Sequence, residues 1–458
     1  MGKKKKAIMT LIEALVLISL AGCVKDIDTN TSFNDELTVN MGGTDEKVKI
    51  TADIRVPECD TMSVTEVERI PCTKEFKEKV IKAYFGDSQV YYYDYAHMTK
   101  KELEEIIETL DRDNNSLSDD ASEEILKWHD DMKTECTKAL ETAADVWTEA
   151  TEYDSCDDFV GKIGDTWFHL QFSRPDDDNS VLSGIQSYPL DRCVKSVSDG
   201  DPDERSTKFD DGYVKQYYGP KSLKEYDTVR YLNGDFIDGD LPVSDVNEAN
   251  ISFDEAKKKA GDFMQAIGIE SMIKTGESDC EWEGYNKTED NVYKEGDVHR
   301  AIWGYALEYS LGADDVVYSK SLNVFDYSAY NKFCPMDCPG YETGSFNVNE
   351  YGVYRFDIAE PVSIVKKQQK VELLPVSNIY KIARNELESH PDKYIVEADT
   401  QYRYLTLGYI RVKDSSDSQR FSYIPAWSLE LLQRGEVESC PVFVNAIDGT
   451  VIEPEQIF

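Results

Sequence analysis

The sequence predicts an α+β fold, with an N-terminal α+β domain followed by two helix-plus-antiparallel-sheet units. Apolar residues alternate along residues 48–56, which is typical of a strand with one buried face. Farther along, the capping box Ser252-Phe253-Asp254-Glu255 opens a helix that ends at Gly268, and strand-like segments follow it. A second helical pattern after Pro375 is again followed by strand-like segments. The same cycle is therefore predicted twice.

The N-terminal half carries its own helix and strand signals. Apolar spacing predicts a helix that begins near Thr73 and stops at Gly86. A second capping box, Thr99-Lys100-Lys101-Glu102, opens another helix, and a long helix is expected over residues 122–147. The tyrosines at residues 91–95 either pack within a sheet or stack on a sugar or peptide, and sheet packing is the interpretation we favour.

These patterns divide the chain into five segments. Residues 1–22 are expected to be a signal peptide and residues 23–47 a flexible tether, because the latter are mostly polar. The folded part is then divided into the N-terminal domain and the two repeated units. Their predicted bounds are 48–248, 249–370 and 371–458.

The first residues read as a secretory signal. Four lysines, Lys3 to Lys6, precede an apolar stretch from Ala7 to Leu20, and small residues follow it. The stretch is shorter than the roughly 20 apolar residues that a membrane-spanning helix needs. Glu13 places one charge inside it, which weakens membrane insertion without abolishing it. An ordinary N-terminal helix is the alternative, but it does not explain the order of the three regions.

The run Leu20-Ala21-Gly22-Cys23 resembles the lipobox of bacterial lipoprotein precursors. The resemblance implies cleavage between Gly22 and Cys23 and attachment of a diacylglycerol, with acyl chains such as palmitate, to the Cys23 thiol. Two acyl chains give durable anchoring, whereas one is marginal. The expected location is therefore the extracytoplasmic face of a cell membrane, with the membrane as a partner through Cys23.

The charge of the chain excludes one class of partner. With 50 basic and 89 acidic residues, the formal net charge is −39 at pH 7. Such a surface repels nucleic acid, so no nucleic-acid partner is expected. It attracts cations and basic polymers, although solubility on an anionic cell surface explains the same composition.

The cysteines predict neither a disulfide framework nor a metal site. Ten cysteines leave nine after Cys23, and an odd number cannot pair completely. The pair Cys334 and Cys338 is compatible with a local disulfide or with two free thiols. No cysteine or histidine pair with zinc-type spacing lies near them. We therefore expect no metal and no cofactor.

One acidic segment matches part of a calcium-binding loop. Asp111, Asp113, Asn115 and Asp119 occupy loop positions 1, 3, 5 and 9. Serines at residues 116 and 122 replace the glycine and the bidentate glutamate that such a loop requires. The four residues are candidate cation ligands, and a solvated acidic connector is the simpler interpretation.

The search for catalytic motifs is negative. The sequence lacks a zinc-protease helix, a nucleophile elbow and a phosphate-binding loop, and none of its five histidines has a triad context. The motifs Ser-x-x-Lys and Lys-Thr-Gly overlap at Lys274, although penicillin-recognising enzymes place them on opposite sides of a cleft. Catalysis at Ser271 is therefore not expected. We favour a protein that is not an enzyme, and a hydrolase with an unrecognised site is the weaker alternative.

The C-terminal cycles resemble PepSY-type modules. The resemblance rests on the segment that begins at Ser252 and on the final run from Val444 to Val451. The runs Leu407-Gly408-Tyr409, Ile424-Pro425-Ala426-Trp427 and Val444 to Val451 also make the mature chain similar to uncharacterised Gram-positive surface lipoproteins of unknown function. PepSY-like modules are associated with restraining peptidases or tuning signalling, so the resemblance implies a regulatory protein with a protein partner at the cell surface. A lipoprotein that captures a solute, a cation or a glycan is the alternative.

Overall fold

The computed structural model describes residues 24–41, 43–116, 123–154, 156–163, 166–175, 180–189, 194–196, 207–209, 228–233, 246–269, 272–285, 299–313, 316–318, 342–368, 370–394, 401–414, 417–431, 441–453 and 456. Over these residues the protein is a mixed α+β structure in which strand is the larger part. The predicted class is confirmed, and its finer division into one domain and two repeated units stays a prediction. No helix of the described part is long and apolar enough to cross a membrane.

The elements are numbered in chain order. A short 3-10 helix (Val24–Asp26) is followed by the helices α1 (Lys74–Phe85), α2 (Lys100–Ser116), α3 (Glu123–Leu140), α4 (Phe253–Ile267), α5 (Val376–Ser389) and α6 (Pro391–Tyr394). The strands are β1 (Ser32–Met41), β2 (Thr44–Arg55), β3 (Val64–Arg69), β4 (Val90–Tyr92), β5 (Asp158–Ile163), β6 (Thr166–Ser173), β7 (Gly184–Pro189), β8 (Val194–Ser196), β9 (Thr207–Phe209), β10 (Thr228–Asn233), β11 (Met272–Tyr285), β12 (His299–Ala313), β13 (Val316–Val317), β14 (Thr343–Asn349), β15 (Gly352–Ala359), β16 (Val362–Gln368), β17 (Gln401–Asp414), β18 (Asp417–Leu431), β19 (Val442–Asn445) and β20 (Val451–Ile452).

The first compact unit combines the described residues within 24–68, 310–318 and 364–456. Its sheet runs in the order β1-β2-β17-β18-β19-β20, and β3 pairs with both β18 and β16. Strand β17 joins β2 in parallel and β18 in antiparallel orientation, so it links the two ends of the chain. Helix α5 packs on β1, where Tyr380 stacks on Phe33 with 4.1 Å between ring centroids.

The second compact unit contains the described residues within 69–309 and 342–363. Its sheet follows the order β4-β5-β6-β7-β15-β14-β12-β11-β10-β9-β8. The buried ring of Tyr84 on α1 packs near Phe263 of α4 and Phe356 of β15, and its hydroxyl donates to the Tyr354 carbonyl at 2.7 Å. Both helices therefore bury their apolar faces in the same core.

The predicted helix ends are confirmed where capping chemistry signalled them. Thr73 caps α1, and its hydroxyl accepts from the backbone N–H of Phe76. The capping box of Ser252 and Glu255 forms at the start of α4, and Gly268 ends that helix in the left-handed region at φ 83°. A side chain at this backbone angle would be strained, which explains why glycine stands there.

The predicted flexible tether is wrong for most of its length. Residues 32–41 and 44–47 belong to β1 and β2, which pair along their length. Most polar residues of β1 lie on one face, while Leu37 and Val39, on the other face with Asp35, are 2% and 3% exposed. A half-polar edge strand has the composition of a linker, but its alternation identifies it as a strand.

The compact units are assembled from segments that are separated in sequence. The helix-then-strands order after residues 252 and 375 is present, as α4 followed by β11 to β16 and α5 followed by β17 to β20. Strand β17 nevertheless pairs with β2 from the N-terminal part of the chain. The division at residues 248 and 370, and the duplication it implies, stay predictions.

Two glycine substitutions test the packing of the second unit. We expect Gly161→Ala to lower the free energy of unfolding by about 1–3 kcal/mol, because a Cβ there would lie 2.7 Å from the Phe85 ring, which is 4% exposed and has no room to move. The matched control is Gly261→Ala on α4, where a Cβ meets nothing within 4 Å. This change should stabilise by about 0.5–1 kcal/mol, since alanine favours helix. Urea denaturation of both variants measures the difference, and an equal shift in both would contradict the packing described.

Candidate functional site

Several predicted site residues lie outside the described part of the chain. The lipidation and cleavage residues Cys23 and Gly22 are among them, as are Asp119 and Ser271. The same holds for the pair Cys334 and Cys338. Their predicted roles stay predictions.

The described half of the predicted calcium loop is helical. Helix α2 continues to Ser116, so Asp111, Asp113 and Asn115 have helical backbone. Calcium coordination by such a segment needs a loop whose successive residues turn towards one point, which a helix does not provide. The Asp111 carboxylate instead pairs with Lys133 of α3. The acidic connector is the interpretation that this geometry favours.

A different group of ligand-type side chains comes together in the second unit. Asp94, His97 and Cys156 each offer one ligand atom, and the three atoms lie within 4.8 Å of one another. A turn after β4 brings the first two together, because the backbone N–H groups of His97 and Met98 both bond to the Asp94 carbonyl. Cys156 lies two residues before β5, which pairs with β4. The strand pairing thus places the thiol beside the turn.

Hydrogen bonds connect the three side chains through the carboxylate. Asp94 Oδ1 lies 2.5 Å from His97 Nδ1, and the Cys156 thiol donates to Asp94 Oδ2 at 3.3 Å. The thiol also lies 3.1 Å from the Asp158 carbonyl oxygen. Cys156 is 3% exposed, whereas the side chains of Asp94 and His97 are 32% and 34% exposed. The Cys156 side of the group is therefore buried, and the Asp94 and His97 side is accessible to solvent at the turn.

The Cys156 thiol is not a nucleophile in this arrangement. Burial raises its pKa to about 12, and the nearby Asp94 charge acts in the same direction, against the opposing hydrogen bond from the Asp158 backbone. A catalytic cysteine needs a lowered pKa and a base that takes its proton. Here the group that accepts from the thiol is a carboxylate. A cation at this group would have to displace the thiol proton, because the thiolate is also the form that binds metal.

A buried ammonium group supports the segment that carries Cys156. Lys77 on α1 is 0% exposed and donates to the Cys156 carbonyl at 2.6 Å. Its Nζ also lies 2.5 Å from Asp157 Oδ1, which is 2.6 Å from Arg174 as well. Cys156 and Asp157 are neighbours in sequence. The Lys77 ammonium therefore fixes the Cys156 backbone and the Asp157 side chain just before β5.

His169 belongs to a second polar network beside the first. Its Nε2 lies 2.9 Å from Asp158 Oδ1, its Nδ1 lies 2.5 Å from the Tyr188 hydroxyl, and the residue is 6% exposed. Both ring nitrogens are engaged, and Tyr93 packs edge-on against the ring at 5.0 Å. This histidine therefore orients strands β5 to β7 in the described structure.

The tyrosines after residue 90 pack mainly on other aromatic rings. Tyr91 contacts Trp147 and Trp167 at centroid distances of 5.9 and 5.8 Å, and the two tryptophans are 4.6 Å apart. Trp147 lies beyond α3, which ends at Leu140, so the predicted helix over residues 122–147 is too long. The Trp147 indole donates to Glu102 of α2 at 2.8 Å, and this contact holds the segment after α3. The packing agrees with the sheet-packing interpretation.

Sequence reasoning missed the group formed by Asp94, His97 and Cys156. The pair Asp94 and His97 has a spacing of three, but that spacing is common and carries no specific signal. Cys156 lies 62 residues from Asp94, and only the pairing of β4 with β5 brings the two together. No local motif would have identified this site.

Comparisons with known proteins identify no family. No protein-family model matches the chain, and no curated protein matches it. Among solved structures, the chain is similar to an uncharacterised protein from Eubacterium rectale ATCC 33656. The TM-score is 0.34 at 12% sequence identity, over 92% of this chain and 93% of that one. A likeness at this level carries no argument about function.

The contacts of Lys77 predict that Asp→Asn substitutions at residues 157 and 262 lower the free energy of unfolding by very different amounts. Asp157→Asn removes the charged partner of both the buried Lys77 ammonium and Arg174, so we expect a loss of about 2–3 kcal/mol in the free energy of unfolding. The control is Asp262→Asn, which removes an exposed i,i+4 pair with Lys258 and should cost about 0.5 kcal/mol or less. Thermal and urea denaturation measure both. Equal losses in the free energy of unfolding would show that the ion pair of Lys77 with Asp157 stabilises the fold no more than an exposed pair does.

Proposed function

We propose that this protein is a lipid-anchored extracytoplasmic lipoprotein that binds a polypeptide partner at the cell surface. The observation that carries the anchor is the order of Lys3 to Lys6, the apolar stretch and Leu20-Ala21-Gly22-Cys23. A chance cysteine in an ordinary helix does not explain that order. The diacylglycerol on Cys23 is then the attachment to the membrane.

Docking of Val24 supports a short attachment. Val24 is 1% exposed, and its backbone N–H donates to the Asp60 carbonyl at 3.1 Å. It lines an open groove together with Lys25 and residues 56–61. A lipid on Cys23 is joined by one peptide bond to this docked residue, so the first compact unit would lie close to the lipid headgroups.

Strand β1 supplies the surface for the partner. Among the described strands it pairs with β2 alone, and it ends the sheet of the first unit. Ten residues of strand with an unpaired edge form a template to which an extended segment can add. Asp35 and Glu36 on this strand already pair with Arg384 and Lys47, each at 2.6 Å, but the chain as a whole carries a net charge of −39. The partner segment is therefore expected to be basic.

The PepSY-like resemblance supports a regulatory role for this binding, because such modules are associated with restraining peptidases or tuning signalling. Strand addition needs no catalytic group, which agrees with the lack of a nucleophile in the candidate site. Cation binding is a second candidate function, and the group of Asp94, His97 and Cys156 favours it.

The anchor is tested by Cys23→Ala in the native host. We expect the protein to leave the membrane fraction, or to accumulate as an unprocessed precursor, because the lipid has no other attachment site. The control is Cys72→Ala, a half-buried cysteine of the body, which should remain on membranes. Membrane fractionation with mass spectrometry of the N-terminus makes the measurement. A Cys23→Ala protein of mature size that stays on membranes would exclude lipid anchoring at this residue.

Strand addition is tested at Thr38, an exposed residue of β1. The Glu36 N–H bonds to the Asp35 carboxylate and so points away from β2, and the Thr38 N–H points the same way because alternate residues share direction. Thr38→Pro should therefore leave the β1–β2 pairing intact while it removes a hydrogen-bond donor from the free edge. Thr38→Val keeps that donor and is the matched control.

Crosslinking and recovery from native membranes measure the effect of both variants. A stoichiometric partner should be recovered with Thr38→Val, and its recovery should fall by about tenfold or more with Thr38→Pro, since one lost hydrogen bond and a steric clash exceed 1.4 kcal/mol together. Equal recovery with the two variants would place the partner elsewhere on the protein.

A further inference from the structure

We propose that Asp94, His97 and Cys156 bind one divalent cation of the zinc class, by which we mean Zn²⁺ and its spectroscopic substitute Co²⁺. The three ligand atoms lie within 4.8 Å of one another. The fourth coordination position would face solvent at the turn after β4. This site differs from the acidic segment at residues 111–119 in its ligands, its fold position and the cation it selects.

The donor set selects the class of cation. Binding releases the Cys156 thiol proton to solvent. The resulting thiolate sulfur, an imidazole nitrogen and a carboxylate oxygen together suit a borderline-soft ion. Calcium and magnesium prefer sites made wholly of oxygen ligands, so they compete poorly for a position beside sulfur. Three protein ligands with one open position are typical of zinc sites that keep a water or a bound ligand.

This coordination requires the ligand atoms to move. The three atoms lie within 4.8 Å of one another, and Asp94 contacts Cys156 through Oδ2 and His97 through Oδ1. Tetrahedral zinc with bonds of about 2.0 Å to nitrogen and oxygen and about 2.3 Å to sulfur separates its ligand atoms by roughly 3.3–3.5 Å. Asp94 Oδ2 and the Cys156 sulfur are 3.3 Å apart. Asp94 Oδ1 and His97 Nδ1 are 2.5 Å apart and must widen by roughly 0.8 Å. Both belong to a surface turn whose side chains are about one-third exposed.

The surroundings fix the sulfur and leave an entry path. Lys77 holds the Cys156 carbonyl, and Cys156 itself is 3% exposed, so the sulfur has a fixed position. The Tyr92 ring lies 4.8 Å from the His97 ring and limits its rotation, and the Tyr92 hydroxyl donates to the Glu152 carbonyl at 2.7 Å. A cation would enter from the solvent side, between Asp94 and His97, whose side chains are about one-third exposed. Supporting contacts of this kind orient ligands and strengthen metal binding.

The test is a titration of the full, detergent-purified chain after reduction and removal of metal. Zn²⁺ is added against a chromophoric chelator in a large excess of Mg²⁺, which occupies the nonspecific acidic surface. We expect one equivalent of Zn²⁺ per chain. Replacement with Co²⁺ should give the charge-transfer absorption of a cobalt–thiolate bond together with the intense visible bands of four-coordinate cobalt.

Single substitutions assign the ligands. Cys156→Ser should abolish the cobalt–thiolate absorption, and His97→Gln and Asp94→Asn should each weaken Zn²⁺ binding by at least about 100-fold, the upper range seen for changes in supporting residues alone. The controls Cys59→Ser and His390→Gln change the same residue types away from the group and its supporting contacts, and should leave affinity unchanged. Thermal denaturation checks that each variant is folded.

The proposal does not rest on the lipid anchor, and its failure is distinguishable from failure of the anchor because membrane retention is measured separately. It would be overturned if folded wild-type chain binds no Zn²⁺ in excess Mg²⁺. It would also be overturned if Cys156→Ser and His97→Gln bind as tightly as the wild type, since the cation would then lie elsewhere.

Discussion

The buried ammonium of Lys77 is the constraint on which the candidate site depends. A charged side chain with 0% exposure is stable only where charged or polar partners surround it, and here they are the Cys156 carbonyl and the Asp157 carboxylate. Because Lys77 belongs to α1, this contact joins the helix to the start of β5. The pairing of β4 with β5 brings Cys156 to the turn at Asp94, and the Lys77 contact holds the Cys156 backbone there.

Local chemistry made part of this fold predictable. The hydroxyl of Thr73, the capping box at Ser252 and the left-handed Gly268 act within a few residues, so the sequence alone locates the ends of α1 and α4. The alternation of Val48 to Ile54 is equally local, and it lies within β2. Strand β1 was missed because its polar face resembles a linker, although Leu37 and Val39 carry the same alternation.

Long-range pairing made the rest unpredictable. Strand β17 pairs in parallel with β2, which lies more than three hundred residues earlier in the sequence, and no local pattern predicts that pairing. The candidate site has the same origin, since Asp94 and Cys156 meet only through the pairing of β4 with β5. Nothing in the sequence around Lys77 indicates that its ammonium is buried. Its partners, the Cys156 carbonyl and the Asp157 carboxylate, can be identified only once the position of β5 is known.

The contact of Val24 changes what an anchor at Cys23 implies. A flexible tether over residues 23–47 would give a root-mean-square reach of roughly 25–30 Å, enough for the body to turn freely above the membrane. A docked Val24 leaves about one residue of free chain, or roughly 3.5 Å. Val24 and β1 belong to the same compact unit, so the orientation of the β1 edge relative to the membrane would follow from the fold of that unit. A partner strand would then have to approach the β1 edge in one orientation relative to the membrane.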